Sequence, residues 1–454
     1  MNINPLLKPH FFISLFELLF GEYAVLPSTP FGEIIVTLNT IIFSLFGFFY
    51  LYQVFLSFFS VFSKTKKYKD TDDYREYIFV TSARNEENVI GQLITSIRAL
   101  DYPQDKIKIH VIADNCTDRT KEIAESMGVS VFERFSTENI GKSYALDFYF
   151  KEQIKIEKDK NFAGYIVVDT DNVYDAQYLK EINKVVVATN SDLIAAYRSS
   201  TNIGDSLWSY GTGLSFLREC TLLHKGRERL GLSSYISGTS FFVSFAKIEK
   251  EGGWNTHSLI EDIEFSAAHL YNGQRTNYAH NAIFYDEQPR GFKDSFRQRL
   301  RWVKGLLQVG KIYAFRMFKA IFARKKTMKQ RFSHYESFVF LTPFPLYIIY
   351  WFIIYGILSL VNYVMTNDFQ YFLQTYLFTL IDFGIGLFLF TTFMSYVIII
   401  VDWKRIKMPW YKKIIYPLFG FLFLLSYIPM FMIAPFIKVK WKPVTHYGLK
   451  KPLE

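Results

Sequence analysis

Cysteine is scarce in this chain: Cys116 and Cys220 are the only two among 454 residues, so no disulfide framework is expected to hold the fold together. Internal repeats and low-complexity tracts are also lacking, which excludes a solenoid and a compositionally disordered chain. No cleavable leader is expected, because the apolar stretch Phe11 to Phe20 is short, contains Glu17 and precedes no small-residue cleavage site. Long apolar runs are missing between about residues 63 and 336 but crowd both flanks. That segregation predicts an integral membrane protein with a water-soluble domain inserted between its spans. Ionisable residues do not recur within the apolar runs, which argues against a transporter and its substrate pathway.

What is present is apolar and basic. Half of the residues are hydrophobic and 19% are aromatic, and the net charge is +10. Many of the basic residues flank apolar segments, at Lys64, Lys66, Lys67 and Lys69 and again at Lys404, Arg405, Lys407, Lys412 and Lys413. Positive flanks mark the cytoplasmic side of a span, so the partner they point to is a lipid bilayer and no nucleic acid is expected. Residues 34–62 are long enough to cross a bilayer with tilt, and the basic run after them puts the middle domain in the cytoplasm. The segment 11–27 carries Glu17 and Glu22 and reads as interfacial or partly buried.

Three apolar blocks follow the middle domain, at 337–364, 371–401 and 413–437. Three crossings would leave the tail outside, yet Lys438, Lys440, Lys442, Lys450 and Lys451 make that tail basic. Pro417, Pro429 and Pro435 predict that the last block is broken or re-entrant, leaving the tail cytoplasmic. The expected organisation is an N-terminal segment and span over 1–63, a catalytic domain over 70–292, amphipathic interfacial helices over 293–335, and a C-terminal membrane region over 336–454.

The middle domain alternates strands and helices. Tyr77–Val80, Ile107–Ile112 and Val129–Phe132 read as strands, and Glu86–Leu100 and Thr120–Met127 as helices. This is an α/β pattern with a largely parallel sheet, whose ligand sites lie at the carboxyl ends of the strands. Over 294–321, Phe296, Leu300, Val303, Leu307 and Phe315 recur at helical spacing among Arg297, Arg299, Arg301 and Lys304. Such a basic amphipathic helix lies along a membrane surface. Trp208–Leu223 is a weaker candidate for the same role.

Six constellations carry chemistry. Tyr165–Asn172 is an apolar run ending on Asp169 and Asp171; alternation along a strand would point both carboxylates the same way. Two hard oxygen ligands suit Mg²⁺ or Mn²⁺ carrying phosphates, although an Asp-x-Asp strand end also makes a polar turn. Thr81–Glu87 follows a strand and opens a helix, so it serves either as a ligand-approach turn or as a helix cap. Asp114 ends the next strand, where it would accept from a nucleobase N–H or form an Asx turn. Lys142, next to Gly141 at a helix start, would neutralise phosphate, and a plain turn is the alternative. Finally, Glu261-Asp262 sits in an apolar setting, where a carboxylate can deprotonate an alcohol. Gln298-Arg299-Leu300-Arg301-Trp302 lies on the basic helix, with Trp302 one turn from Gln298. An indole beside guanidinium groups suits a sugar ring and a departing diphosphate.

Together these motifs resemble a membrane-embedded processive family 2 glycosyltransferase, the group of the cellulose, chitin and hyaluronan synthases. The resemblance runs from about residue 77 to 305 and rests on Asp114, Asp169-Thr170-Asp171, Glu261-Asp262 and the Gln298–Trp302 run, in order and spacing. It implies a GT-A (Rossmann-like) catalytic domain that takes a UDP-sugar and extends a nascent polysaccharide by inverting transfer, with Mg²⁺ or Mn²⁺. On that basis Ala83, Arg84, Glu86 and Asp114 would hold uridine, with Lys142 and Asp169 at the nucleotide and Asp169 with Asp171 at the metal. Asp262 would be the general base, with Glu261 beside it. Gly238, Thr239, Gln298, Arg299, Arg301 and Trp302 would hold the diphosphate and the acceptor end. Asn115-Cys116 stands where Gly-Ser is frequent in the family, and Ile260 where Thr is frequent. UDP-glucose made into a β-glucan is the first expectation, with UDP-N-acetylglucosamine next; accessory secretion partners are not legible. The nearest rival is a lipid-directed enzyme, similar to ceramide glucosyltransferases, that adds one sugar. A non-catalytic membrane scaffold is a more distant one.

Overall fold

The computed structural model describes residues 29–157, 162–439 and 448. The expected interfacial segment 11–27 and the tail lysines Lys440, Lys442, Lys450 and Lys451 lie outside the described residues. The chain divides into two compact units, one of residues 50–344 and 392–454, the other of residues up to 49 with 345–391.

The first unit is built on an eight-stranded sheet in the order β3-β2-β1-β4-β7-β6-β8-β5. The strands are β1 Tyr77–Ala83, β2 Ile107–Asp114, β3 Ser130–Arg134, β4 Gly164–Val168, β5 Val173–Tyr174, β6 Leu193–Ser200, β7 Phe241–Ser244 and β8 Asn277–Asp286. Strands β1 to β4 pair in parallel, as do β6 and β8, while β7 and β5 run the opposite way. The largely parallel sheet is therefore as expected, and its main strands deliver their carboxyl ends to one edge.

Period-two alternation fills both faces. Ile78, Val80, Tyr165, Val167 and Leu193 face one core, while Tyr77, Phe79, Ile166, Val168 and Ile194 face the other. A sheet covered on both sides needs continuous apolar strands, which is why these runs were readable. The first core is closed by Tyr210 and Leu217 of helix Leu207–Arg218 and by Ile398, Ile399, Ile406 and Met408 from the end of an apolar helix and the loop after it. Gly164 fits between β4 and β7 because a Cβ there would meet the Val243 carbonyl oxygen at 2.2 Å.

Among the described residues four helices are long and apolar enough to cross a membrane: Pro30–Phe62, Phe344–Thr366, Phe369–Val401 and Trp410–Ile433. The expected block 337–364 is divided. Residues 337–341 end a separate helix, Met328–Leu341, which buries Ser333, His334, Glu336 and Ser337. Thr342 then turns extended (ψ 124°) before Pro343, because the proline ring disfavours helical geometry in the residue ahead of it. The last block is interrupted as its prolines predict, with a 3₁₀ turn over Tyr416–Phe419 containing Pro417. In the second unit, polar side chains within the apolar helices pair with one another: Thr29 donates to Asn362 at 2.8 Å and the Trp351 indole to Asn39 at 2.9 Å.

The basic amphipathic helix runs Phe292–Ile321. Its buried stripe is Ser295, Arg299, Val303, Gly310 and Met317, so of the five apolar positions read from the sequence only Val303 is buried, and Phe315 is 64% exposed. The stripe is set by close backbone contact: a Cβ at Gly310 would meet the Leu341 carbonyl oxygen at 2.4 Å.

Candidate active site

The strand ends open into a single cavity of about 1080 Å³. Ser82, Arg84 and Glu86 line it after β1, Asp114 after β2, and Asp169 and Asp171 after β4. Lys142, Gly238, Glu261 and Asp262 form the middle, and Gln298, Arg301 and Trp302 the far wall. Most of the residues singled out in the sequence thus meet in one place. Three do not. Ala83 packs into the sheet core, Thr239 is buried behind the wall, and Arg299 points away from the cavity.

At the nucleotide end, the loops after β1 and β2 are tied together. Asn85 accepts from the Thr117 amide at 2.8 Å, and Asp118 accepts from the Glu87 amide at 3.1 Å. Asn85 (φ 58°) and Asn115 (φ 54°) both take the left-handed conformation that asparagine tolerates better than most residues. This accounts for Asn115 standing where glycine is common in the resembling family. Asp114 is almost fully enclosed and forms an ion pair with Arg134 at 2.5 Å. The sequence reading missed Arg134, although parallel register places it directly opposite Asp114.

The two aspartates after β4 are not on the strand. Strand β4 ends at Val168; Asn172 Oδ1 then takes the Asp169 amide at 3.0 Å and turns the chain. The carboxylates consequently occupy different settings. Asp169, 38% exposed, pairs with Lys142. Asp171 is buried and accepts the Glu287 amide at 2.8 Å. Thr239, expected near the acceptor, instead accepts the Asp169 amide at 2.7 Å and positions that turn.

One residue, Gly238, joins this end to the expected base. The Lys142 ammonium donates to the Gly238 carbonyl at 2.8 Å, and the Gly238 amide donates to Asp262 at 2.5 Å. Gly238 holds φ 76°, which glycine adopts without penalty. Asp262 lies in the first turn of helix Glu261–Tyr271. Burial raises its pKa, while the Ile263 and Gly238 amides, Lys142 and Arg301 oppose the shift. Glu261 is pushed up to about 7, first by burial and then by the neighbouring Asp262 charge.

A raised carboxyl that must be ionised to act loses activity as pH falls through that raised value. The acidic limb of kcat should therefore lie nearer neutrality than an ordinary carboxylate's, at about 4. The Asp262 charge raises Glu261 and not the reverse, so Glu261 is still neutral while Asp262 ionises. Glu261→Gln should leave the limb in place, and a limb that moves to lower pH in a pH–rate profile contradicts this order.

The far wall comes from helix Phe292–Ile321. Arg301 donates to the Leu259 carbonyl at 3.3 Å, and Trp302 meets Phe216 edge-on with centroids 5.7 Å apart. Phe216 in turn lies beneath the Arg198 guanidinium at 3.5 Å. Arg198 and Asp286 form a buried ion pair at the cavity wall that the sequence reading missed. Asp286 Oδ1 is buried with no hydrogen-bond partner among the described residues. Asp169 and Asp171 line the same cavity. Among the described residues no group of three or more His, Cys, Asp or Glu side chains is placed to hold a metal ion. The two carboxylates of Asp169 and Asp171 would suit a cation that takes its remaining ligands from a bound diphosphate and water.

Arg299 corrects the expectation of a diphosphate ligand. It is fully buried and donates to the Phe423 carbonyl at 3.2 Å and to Ser426 at 2.7 Å, with Phe423 and Tyr427 rings around it. Helical periodicity explains the error. Positions 298, 301 and 302 share one face, whereas 299 shares the face of 295 and 303. Arg299→Ala should lower the thermal midpoint of the detergent-solubilised protein by about 4–8 °C, since losing hydrogen bonds from a buried charge costs about 2 kcal/mol and each kcal/mol moves the midpoint about 2–4 °C. UDP affinity should stay within about twofold; weakened UDP binding with an unchanged midpoint would restore Arg299 to the ligand site.

Comparison with known proteins agrees with this geometry. The family described as "Glycosyl transferase family group 2" matches residues 165–437, more than half of the chain. The chain belongs to that family. It is 28% identical over 232 residues to a probable glycosyltransferase, YdaM, of Bacillus subtilis, covering 49% of this chain and 53% of the relative. It is 22% identical over 237 residues to a beta-monoglucosyldiacylglycerol synthase of Synechocystis, covering 51% and 48%. The matched region spans about half the length of each of these relatives. Among solved structures, the mannosyltransferase PcManGT from Pyrobaculum calidifontis, in complex with GDP-Man and Mn²⁺, superposes with a TM-score of 0.55 at 15% identity. That alignment covers 83% of this chain and 98% of PcManGT, and it supports the GT-A fold.

Proposed function

We propose that the chain is an inverting, processive glycosyltransferase that adds hexose from a UDP-sugar to the end of a growing β-linked polysaccharide. The donor is UDP-glucose or UDP-N-acetylglucosamine, and the catalytic domain faces the cytoplasm. The observation that carries the reading is the Gly238 bridge. It sets the Asp262 carboxylate next to the Lys142–Asp169 pair, at the middle of a cavity with Trp302 on its far wall.

In this reading Arg84, Glu86 and Asp114 receive the uracil and ribose, and Lys142 with Arg301 binds the diphosphate. Asp169 and Asp171, with Asp286 nearby, hold Mg²⁺ or Mn²⁺. When bound, the cation supplies electrostatic stabilisation of the departing diphosphate. Trp302 offers an aromatic face to the acceptor sugar. Asp262 takes the proton from the acceptor hydroxyl as its oxygen attacks the anomeric carbon from the side opposite UDP, so the C–O bond to UDP breaks as the new one forms.

A polymer acceptor is favoured by the cavity's continuation past Trp302 to Phe340, Tyr427 and Phe431. A lipid acceptor receiving one sugar is the second reading, favoured by the similarity to the beta-monoglucosyldiacylglycerol synthase. Product size separates them: purified protein with radiolabelled UDP-sugar should yield a water-soluble polymer, and a label found solely in singly glycosylated lipid defeats the polymerase reading. Trp302→Ala should reduce elongation by about tenfold or more, on the scale of losing one aromatic stacking contact, while UDP binding persists. Coupled secretion belongs to the same proposal, and polymer retained on the donor side of sealed vesicles would defeat it.

A further inference from the structure

Between Asp294 and Glu336 the sequence holds no acidic residue and twelve Lys or Arg, eight of them within 311–331. That shorter stretch is a hairpin, the end of helix Phe292–Ile321 and the start of helix Met328–Leu341. None of its residues lines the cavity. Its cations differ from those elsewhere on the domain, where Lys121, Lys151, Lys180 and Lys184 each pair with a carboxylate. Lys311, Arg316, Lys319, Arg324, Lys325 and Lys329 are all exposed, and among the described residues none of them is in an ion pair. Like charges gathered without counter-charge repel one another, so an external anion would relieve the cluster.

Large apolar side chains stand among these cations. Phe315 is 64% exposed, Phe322 66% and Met328 77%, where a water-facing helix would carry polar residues. Phe315, Phe318 and Phe322 recur at helical spacing on one face, with successive ring centroids 6.4 and 5.4 Å apart. The Lys319 ammonium lies 4.6 Å from the Phe315 ring centroid. The tip is well tied. Thr327 and Gln330 close a capping box, and Arg331 donates to the Ala323 carbonyl at 3.3 Å. Of the five apolar positions that made 294–321 read as a membrane-surface helix, only Phe315 belongs to this exposed face.

The combination selects a partner. A soluble polyanion would neutralise the cations and leave the rings in water, while a zwitterionic bilayer would take the rings and leave the charge uncompensated. A bilayer containing anionic phospholipid does both: its phosphates meet the cations, and apolar side chains enter the acyl boundary. The course of the chain agrees. Helix Met328–Leu341 rises about 21 Å at 1.5 Å per residue, and Phe344–Thr366, apolar enough to cross a membrane, starts just after it. Phe332 and Tyr335 on the same helix meet Tyr52, near the end of the apolar helix Pro30–Phe62, edge-on.

We propose that the 311–331 hairpin is a docking surface for anionic phospholipid. Phe315, Phe318, Phe322 and Met328 enter the bilayer boundary, and Arg324, Lys325 and Lys329 hold headgroup phosphates. This contact does not depend on the donor or the acceptor proposed above.

The test follows amide hydrogen exchange of the full-length protein in two kinds of nanodisc. One is phosphatidylcholine alone, and the other has phosphatidylglycerol as about one lipid in three, enough for a negative surface potential. Exchange across 311–331 should slow at least about fivefold in the anionic discs, the effect of one basic residue near an anionic surface. High salt should shrink the difference, and helix Lys142–Glu157 should exchange alike in both discs. The triple variant Arg324→Gln, Lys325→Gln, Lys329→Gln should lose the difference while its Kd for UDP stays within about twofold of wild type. Equal exchange of 311–331 in the two discs, or the same slowing in the triple variant, overturns the surface. Slowing by added heparin in phosphatidylcholine discs, with none from phosphatidylglycerol, would assign the cations to a soluble polyanion and overturn it too.

Discussion

Asp262→Asn is expected to lower turnover by about two to four powers of ten, the usual contribution of a positioned general base. In barrier terms that is about 3–5 kcal/mol. The substitution is nearly isosteric, and the amide oxygen can still accept the Gly238 N–H that Asp262 Oδ2 accepts now. UDP affinity should therefore survive, because the nucleotide end is anchored independently through Asp114, Arg134 and the paired loops after β1 and β2. The measurement is single-turnover transfer alongside calorimetric UDP binding. Transfer at the wild-type rate would remove Asp262 from the mechanism, and loss of both would make it a structural residue.

Cation removal should have an effect of similar size. Chelation is expected to slow transfer by at least about a hundredfold, as expected for losing a principal electrostatic stabiliser of a leaving group. Added Mn²⁺ or Mg²⁺ should restore the rate. The unliganded geometry adds a sharper expectation, because Lys142 already pairs with the Asp169 carboxylate. On the proposed reading a cation would compete with the ammonium for that oxygen, and a bound diphosphate would draw the lysine away. Lys142→Ala should consequently tighten Mn²⁺ binding without nucleotide and weaken UDP binding, both readable by calorimetry. Mn²⁺ affinity that is unchanged, with full activity after chelation, would point to a cation-independent transferase.

The parts of the fold that the sequence revealed share one physical cause. β1, β2 and β4 are covered on both faces, so they read as short apolar runs that stop abruptly at polar residues on the ligand edge. Asp114 and Asp262 were legible for the same reason: an acid interrupting an apolar pattern requires a compensating environment. Other features depend on partners far along the chain. Arg198 meets Asp286 across 88 positions, and neither lies in a motif. The different settings of Asp169 and Asp171 follow from Asn172 capturing an amide and ending the strand early, a local competition that strand periodicity does not express. Arg299 was a different kind of miss. Its helical phase was in the sequence all along, but five consecutive letters invite a single role.

The buried guanidinium of Arg299 has a practical corollary. The helix that carries Trp302 to the cavity wall is clasped from behind by Phe423, Ser426 and Tyr427. An excised catalytic fragment ending near residue 335 would expose that cation's apolar niche to water and release the indole's support. The sheet domain is accordingly not detachable from that hydrophobic segment, and whatever tilts the segment will be felt at the cavity wall that Trp302 forms.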